Sequence, residues 1–332
     1  MNHIFHQKDI SKSRFLVTGG AGFIGSHIAE YLLRNGAGSV RVLDNMVNGF
    51  DSNLQILRQY PQFEFIHGDI RDFDTCKLAC EGMDHVSHQA ALGSVPRSIK
   101  EPVYFNEVNV GGMVNMLKAA VDCRVRSFVY ASSSSVYGDD YSLPKQEDKL
   151  GNCLSPYAAT KKTDELYARV FADVYGLRQM GFRYFNIFGP RQDPDGPYAA
   201  VIPLFVKGIM KKETVFINGD GEQTRDFTYV DNAVQANIKG MLTEDPEAFN
   251  RVYNVAVGES YSVNNLFEQC QNFLDIEWQP TYREERAGDI RNSLADIRLA
   301  SRHLDFRPTT KFSDGLKDTI SYFKKIYQES QS

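Results

Sequence analysis

The sequence predicts an α/β fold: a doubly wound parallel sheet with a smaller C-terminal α/β lobe. Three observations lead there. Short apolar runs alternate with stretches of helical periodicity through the N-terminal half. The first run, Phe15-Leu16-Val17, ends in the glycine-rich segment Thr18-Gly19-Gly20-Ala21-Gly22-Phe23-Ile24-Gly25. The second run, Val40 to Asp44, ends in a carboxylate.

The elements follow in order. After the glycines, Phe23, Ile24, Ile28, Leu32 and Leu33 show helical spacing. Phe63 to His67 and His85 to Gln89 read as further strands, as does Ser127 to Ala131 after a helical stretch from Asn106 to Val121. A long helix begins at Pro156 behind the N-cap Ser155 and continues through Leu166, Val170 and Val174 to Gly176. The turn-rich segment Gly189 to Pro197 reads as a crossing into a second lobe. Shorter elements come after it: Val215 to Ile217, Val252 to Val257, and helices from Val263 and Ser313. The organisation predicted is a dinucleotide domain over 1–188, with 226–262 returning to it, and a second lobe from 189–225 and 263–332.

Composition narrows the class. The chain has 332 residues, 42% hydrophobic, enough for a large core. A net charge of -5 argues against a nucleic-acid surface. The five cysteines are scattered without zinc-ligand spacing, so no metal is expected, and they suit a reducing, cytoplasmic setting. No apolar leader and no membrane span are expected.

Gly20-x-Gly22-x-x-Gly25 fits the dinucleotide fingerprint. On that reading Gly20 permits the tight turn, Gly22 lets the backbone approach a pyrophosphate, and Gly25 lets helix and strand pack closely. This is the Rossmann pattern. Asp44, nineteen residues after Gly25, can accept from adenosine ribose hydroxyls and would repel a 2′-phosphate, which favours NAD over NADP. Asp69 and Ile70 follow the third strand, where they either approach the adenine or cap a helix.

Tyr157 and Lys161 stand four residues apart on that long helix and therefore share a face. A free phenol has a pKa near 10, too high for a base at neutral pH. A neighbouring ammonium and a bound nicotinamide cation would both favour the phenolate. Ser133, just past a strand end, supplies a hydroxyl for the same substrate oxygen. The same four-residue spacing also fits a buried tyrosine with a surface lysine; the loop, strand and serine run, in order, favour the site.

The chain resembles the extended short-chain dehydrogenase/reductases, specifically the UDP-sugar 4-epimerases. The resemblance rests on TGGAGFIGSH, LDN, HGDIRD, SSSSVYGD, YAATK, RYFNIFGPRQDP and GDGEQTRDFTYV, from Arg14 to about Leu299. AALGSVPRS, RQDPDGPYAAVIP and GDIRNSLAD are similar to the bacterial UDP-N-acetylglucosamine 4-epimerase branch. The resemblance implies tightly bound NAD, a 4-keto intermediate, and interconversion of UDP-GlcNAc and UDP-GalNAc for surface polysaccharide precursors. It implies Tyr157 as the base, with Lys161, Ser133 and Ser134 as its catalytic partners.

It implies NAD contacts from Gly19, Gly22, Phe23, Ile24, Gly25, Asp44, Asn45, Asn48, Gly49, Asp69 and Ile70. Gln89, Ala90, Ala91, Asn109, Tyr157, Lys161 and Tyr184 complete that set. For the UDP-sugar it implies Gly93, Ser94, Ser133, Ser134, Ser135, Asn186, Gln192, Ala200, Val201, Phe216 and Asn218. Arg225 and Arg286 would meet the diphosphate, Asp289 the ribose, and Ser293 would leave room for an N-acetyl group. Gly93 stands where the hexose-restricted branch has a lysine.

Sugar-nucleotide dehydratases carry acids where this chain has Ser133-Ser134-Ser135, so oxidation and return at one carbon is favoured over elimination. Arg97 leaves open a C6 carboxylate, hence UDP-N-acetylglucosaminuronate. A non-catalytic NAD-binding regulator is the alternative of a different class; such proteins usually lack the Tyr or Lys kept here. The resemblance also implies a homodimer through the helices after Glu101 and Ser155.

Overall fold

The computed structural model describes residues 3–195, 200–285 and 291–329. The chain runs β1 (Arg14–Thr18), α1 (Phe23–Arg34), β2 (Ser39–Asp44), α2 (Asp51–Leu57), β3 (Phe63–His67), α3 (Phe73–Cys80) and β4 (His85–His88). Next come α4 (Val95–Lys100), α5 (Pro102–Phe105), a π-helical turn at Asn106–Gly111, α6 (Gly112–Asp122), β5 (Ser127–Ser133), α7 (Pro156–Tyr175) and β6 (Gln179–Tyr184). The remainder is β7 (Ile187–Phe188), α8 (Val201–Lys211), β8 (Phe216–Asn218), β9 (Thr224–Arg225), β10 (Thr228–Tyr229), α9 (Val230–Leu242) and β11 (Arg251–Val255). It ends with β12 (Tyr261–Ser262), α10 (Val263–Leu274), β13 (Thr281–Arg283), α11 (Arg298–Leu304) and α12 (Phe312–Glu329).

Seven strands form one sheet in the order β11-β6-β5-β4-β1-β2-β3, and every pairing within it is parallel. A parallel sheet is covered on both faces, so its strands are apolar on both sides. Alternation within each strand then divides the core. Phe15, Val17, Val129 and Phe182 face a layer containing Ile28 and Leu32 of α1 and Ala233 and Val234 of α9. Leu16, Phe128 and Tyr130 face the opposite layer, with Cys76 of α3, Leu117 of α6 and Phe171 of α7. A third cluster packs α8, α10 and α12 around Phe205, Leu266 and Phe323, apart from the large sheet.

The expected strands and helices form, with small shifts at their ends. The helix expected from Asn106 begins at Pro102 and passes through the π-helical turn before α6.

The glycine loop needs a correction. The turn assigned to Gly20 falls at Gly19, which holds φ 67. A Cβ on Gly20 would lie 2.6 Å from Val42 Cγ2, so Gly20 serves close packing against β2. Gly25 does what the fingerprint requires: a Cβ there would lie 2.2 Å from the Gly19 carbonyl oxygen. That neighbour is backbone and cannot swing aside. Gly25→Ala should therefore cost roughly 1–3 kcal/mol, read as a lower urea midpoint at unchanged slope. An unchanged midpoint would show that α1 can move away freely.

Candidate active site

The sheet order reverses between β1 and β4, and a cleft of about 540 Å³ opens there along the carboxyl ends of the strands. Gly19 follows β1 into it, Asp44 ends β2, Gly68 follows β3 and Gln89 follows β4. Ser133 ends β5 and Tyr184 ends β6. Six strand ends thus contribute to one wall.

The nucleotide half is built around α1. Its N-cap, Gly22, has no side-chain cap, and its first turn carries no acid. The first-turn residues Phe23, Ile24 and Gly25 line the cleft. Free amides at the positive end of a helix dipole fit a pyrophosphate. Asp44 is held beneath them: Oδ2 accepts from Ala21 N (3.0 Å) and Oδ1 from Met46 N (2.8 Å). Burial raises its pKa, while those two donors pull it back. Asn45, Asn48, Gly49, Ile70, Ala90 and Ala91 line the same half. These features fit an adenosine diphosphate with a ribose near Asp44.

The floor is a neutral network. Tyr184 donates to Gln89 Oε1 (3.0 Å) and accepts from Asn237 Nδ2 (2.7 Å). Burial pushes its phenol pKa far up. His88 sits behind, with Nδ1 2.7 Å from Thr18 Oγ1. Burial first, then Lys161, lowers its pKa to about 3.

The reactive half joins α7 to β5. Ser155 caps α7 by accepting from Ala158 N (3.1 Å), and Ser98 Oγ accepts from Tyr157 N (3.1 Å). The Tyr157 ring meets Phe105 edge-on at 6.5 Å. Lys161 is buried, and its Nζ donates to the Ala131 carbonyl (2.9 Å) and to Asp164 Oδ2 (3.2 Å). Tyr157, Lys161, Ser133 and Ser134 all line the cleft, as do Gly93, Asn186 and Gln192. Ser133 Oγ accepts from Ser135 N (3.2 Å) and from Ser135 Oγ (2.9 Å). Ser135 therefore lies behind Ser133 rather than on the wall. Ser132 donates to Glu165 Oε1 (2.5 Å), and Arg183 forks onto both Glu165 oxygens at 2.9 and 2.8 Å.

Other expected positions lie elsewhere. Asn109 is fully buried and does not line the cleft; its amide clamps Leu92 N (2.8 Å), Leu92 O (3.2 Å) and Thr160 Oγ1 (3.1 Å). It ties the π-helical turn to the loop after β4 and to α7. Asp69 also stands off the wall, paired with Arg71 and Asn45, and its carboxyl is lowered to about 2, chiefly by Arg71. Ser94 caps α4 through Arg97 N (3.2 Å).

Val201 opens α8 behind Ala200, Phe216 packs 4.9 Å beneath the Arg283 guanidinium, and Asn218 accepts from Arg283 (2.6 Å). Arg225 donates to the carbonyls of Thr224 (2.8 Å) and Arg291 (3.1 Å). Ser293 N donates to the Thr224 carbonyl (3.1 Å). Ala200, Val201, Phe216, Asn218, Arg225 and Ser293 do not line the cleft. Arg286 and Asp289 fall outside the described residues. Arg97 pairs with Glu101 (3.0 Å) and lies over Tyr104.

The wall also holds residues the sequence reading passed over. Arg191 lines the cleft and donates to Ser26 Oγ (3.3 Å), with Glu30 as its ion-pair partner. Tyr104 lines it beneath the guanidiniums of Arg71 and Arg97. The GPRQDP segment signalled Arg191; Tyr104 had no signal beyond its helix. No helix among the described residues is long and apolar enough to cross a membrane.

Residues 15–256 match the NAD dependent epimerase/dehydratase family. The UDP-glucose 4-epimerase of Mycolicibacterium smegmatis is 36% identical, over 95% of this chain and 100% of that protein. The UDP-N-acetylglucosamine 4-epimerase from Methanobrevibacter ruminantium M1, solved in complex with UDP-N-acetylmuramic acid, superposes with a TM-score of 0.89 at 39% identity, covering 95% of this chain and 99% of that one. The UDP-glucuronic acid 4-epimerase from Bacillus cereus, solved with UDP-glucuronic acid and NAD, gives 0.88 at 31% identity, covering 95% and 100%.

Proposed function

The chain belongs to the NAD dependent epimerase/dehydratase family, and from that premise we propose a specific reaction: reversible inversion at C4 of UDP-GlcNAc and UDP-GalNAc. The enzyme is an NAD-dependent UDP-sugar 4-epimerase. The acetylated sugar is the finer reading. One observation carries it: Gly93 lines the cleft, and a Cβ built there meets nothing within 4 Å. Space is therefore open beside the reactive residues. The 39% identity to an enzyme named for UDP-N-acetylglucosamine agrees.

When bound, NAD accepts the C4 hydride and returns it. Tyr157 takes the 4-hydroxyl proton as the 4-keto sugar forms and gives it back on return. Lys161 supplies the positive charge that favours the phenolate. Ser133 and Ser134 donate to the ketone oxygen. The sugar turns within the cleft, so the hydride returns to its other face, and enclosure keeps water from the ketone. Asn45, Asn48, Gly49 and the α1 amides hold the nucleotide end, with Asp44 toward the ribose. In the second lobe, Phe216, Asn218, Arg225, Arg286 and Asp289 would receive the UDP moiety. The Arg97 guanidinium is committed to Glu101, which disfavours it as a receptor for a C6 carboxylate.

The assembly proposed is a homodimer. Leu166, Val170 and Val174 are exposed along one face of α7, and Ile99 and Val103 are exposed on the adjacent α4 and α5. An apolar stripe over two neighbouring helices suits a self-complementary four-helix contact.

Tyr157→Phe should lower turnover of UDP-GlcNAc by at least about 10²-fold with NAD still bound; unchanged turnover in an NMR product assay would overturn the mechanism. The same assay on a panel including UDP-Glc and UDP-N-acetylglucosaminuronate should show preference for the acetylated hexoses. Ser293→Tyr should then suppress UDP-GalNAc turnover while sparing UDP-Gal, and survival of both activities would remove Ser293 as a gate. Val170→Glu should give a monomer by light scattering, and a dimer of unchanged mass would place the contact elsewhere.

A further inference from the structure

An ammonium carries three N–H donors. The fold uses two of Lys161's, for the Ala131 carbonyl at 2.9 Å and Asp164 Oδ2 at 3.2 Å. One remains for the cleft that Lys161 lines. Asp164 lies one turn further along α7, is 1% exposed, and its Oδ1 has no hydrogen-bond partner among the described residues. A buried carboxylate with one oxygen unsatisfied is costly to keep. Here it stands directly behind the cation of the reactive pair.

We propose that Asp164 is a positioning residue for Tyr157 and Lys161: it anchors the ammonium from behind, and its negative charge moderates how strongly Lys161 stabilises the phenolate. This rests on reading Tyr157 as the base and Lys161 as its cationic partner.

The surroundings isolate the effect. On α7 itself the charged neighbours are Lys161 and Glu165, and Glu165 is neutralised by Arg183 from β6. From β5, Tyr130 is buried and kept neutral by burial. From β4, His88 is neutral. The π-helical turn and α4 contribute the neutral Asn109 and Ser98. On α4 and α6, Arg97 pairs with Glu101 and Lys118 with Asp122, each within one turn of its own partner. Burial pushes the Asp164 carboxyl up to about 7 against the pull of Lys161. Its charge therefore changes within the neutral range, next to the group that sets the base.

The sign follows from electrostatics. An anion beside Lys161 favours the ammonium and offsets part of the positive charge that favours the phenolate. Asp164→Asn keeps the shape and an acceptor for Nζ and removes the charge. Both limbs of the pH profile of kcat/KM should then move to lower pH, by roughly half a unit to one unit. Asp164→Ala, which also loses the anchor, should show the same shift and in addition lower kcat by about tenfold at little change in KM. A role confined to stability would reduce the melting temperature and leave both limbs in place.

Profiles of the NAD-bound Asp164→Asn and Asp164→Ala enzymes that coincide with the parent's would overturn the proposal. Tyr157→Phe measured alongside separates the two readings. If it stays active, the base assignment fails. If it is inactive while the Asp164 profiles coincide with the parent's, only the positioning role falls.

Discussion

Parallel pairing is the constraint from which the rest of the molecule follows. All seven strands of the large sheet point the same way, so their carboxyl ends gather along one edge. Each return must then cross a face, which places helices on both sides and forces strand residues of both parities to be apolar. Polar side chains that must act together are therefore displaced to the strand ends, because there the chain leaves the packed layers. Asp44, Gln89, Ser133 and Tyr184 occupy those places on four different strands or the turns after them. No local motif could bring them together; the sheet does.

The helix α7 is where this arrangement carries unusual polarity into the core. Its Ala168 and Phe171 join a buried apolar cluster with Phe105 and Phe128, yet it also buries Lys161, Asp164 and Thr160. Burying charge is tolerable only where each group is paired. Glu165 meets both the fork of Arg183 and the hydroxyl of Ser132, so it fixes the strand just before Ser133. Lys161 meets the carbonyl of Ala131, one residue earlier still. Consecutive residues of β5 are thus tied to one helix face by ionic hydrogen bonds. The distance between the Tyr157 helix and the serine run is set by those ties.

Local pattern made much of this legible. The strands at Phe15, Val40, Phe63, His85 and Ser127 were visible as apolar runs, and the α7 cap was visible in Ser155-Pro156, because both depend on nearest neighbours. What depends on distant residues was not. Gly19 and Gly20 are indistinguishable in sequence, and only the approach of Val42 and the loop after β4 separates their roles. Asn109 looked like a cofactor contact, but its partners are 17 and 51 residues away. Arg97 left a C6-carboxylate role open in the sequence, and its partner is the i+4 carboxylate of Glu101. The positions Phe216, Asn218, Arg225 and Ser293 were readable only through the family resemblance, since their elements are two to three residues long or irregular.

The same geometry bears on which chemistry the cleft supports. Elimination from a sugar needs an acid placed to serve C5 and C6, near the head of the site. The carboxylates closest in sequence to the reactive pair are Asp164 and Glu165, and both are engaged beneath α7, on Lys161 and on Arg183 with Ser132. Asp44 lines the cleft among the nucleotide-loop residues, where Ala21 N and Met46 N donate to it. Asp193 also lines it, and its Oδ1 accepts from Asp195 N (2.8 Å). The serine run therefore presents hydroxyls rather than acids to the sugar. Hydroxyls can polarise a ketone but cannot remove a carbon-bound proton at neutral pH. A site so arranged suits oxidation of one carbon and its reduction again, without elimination.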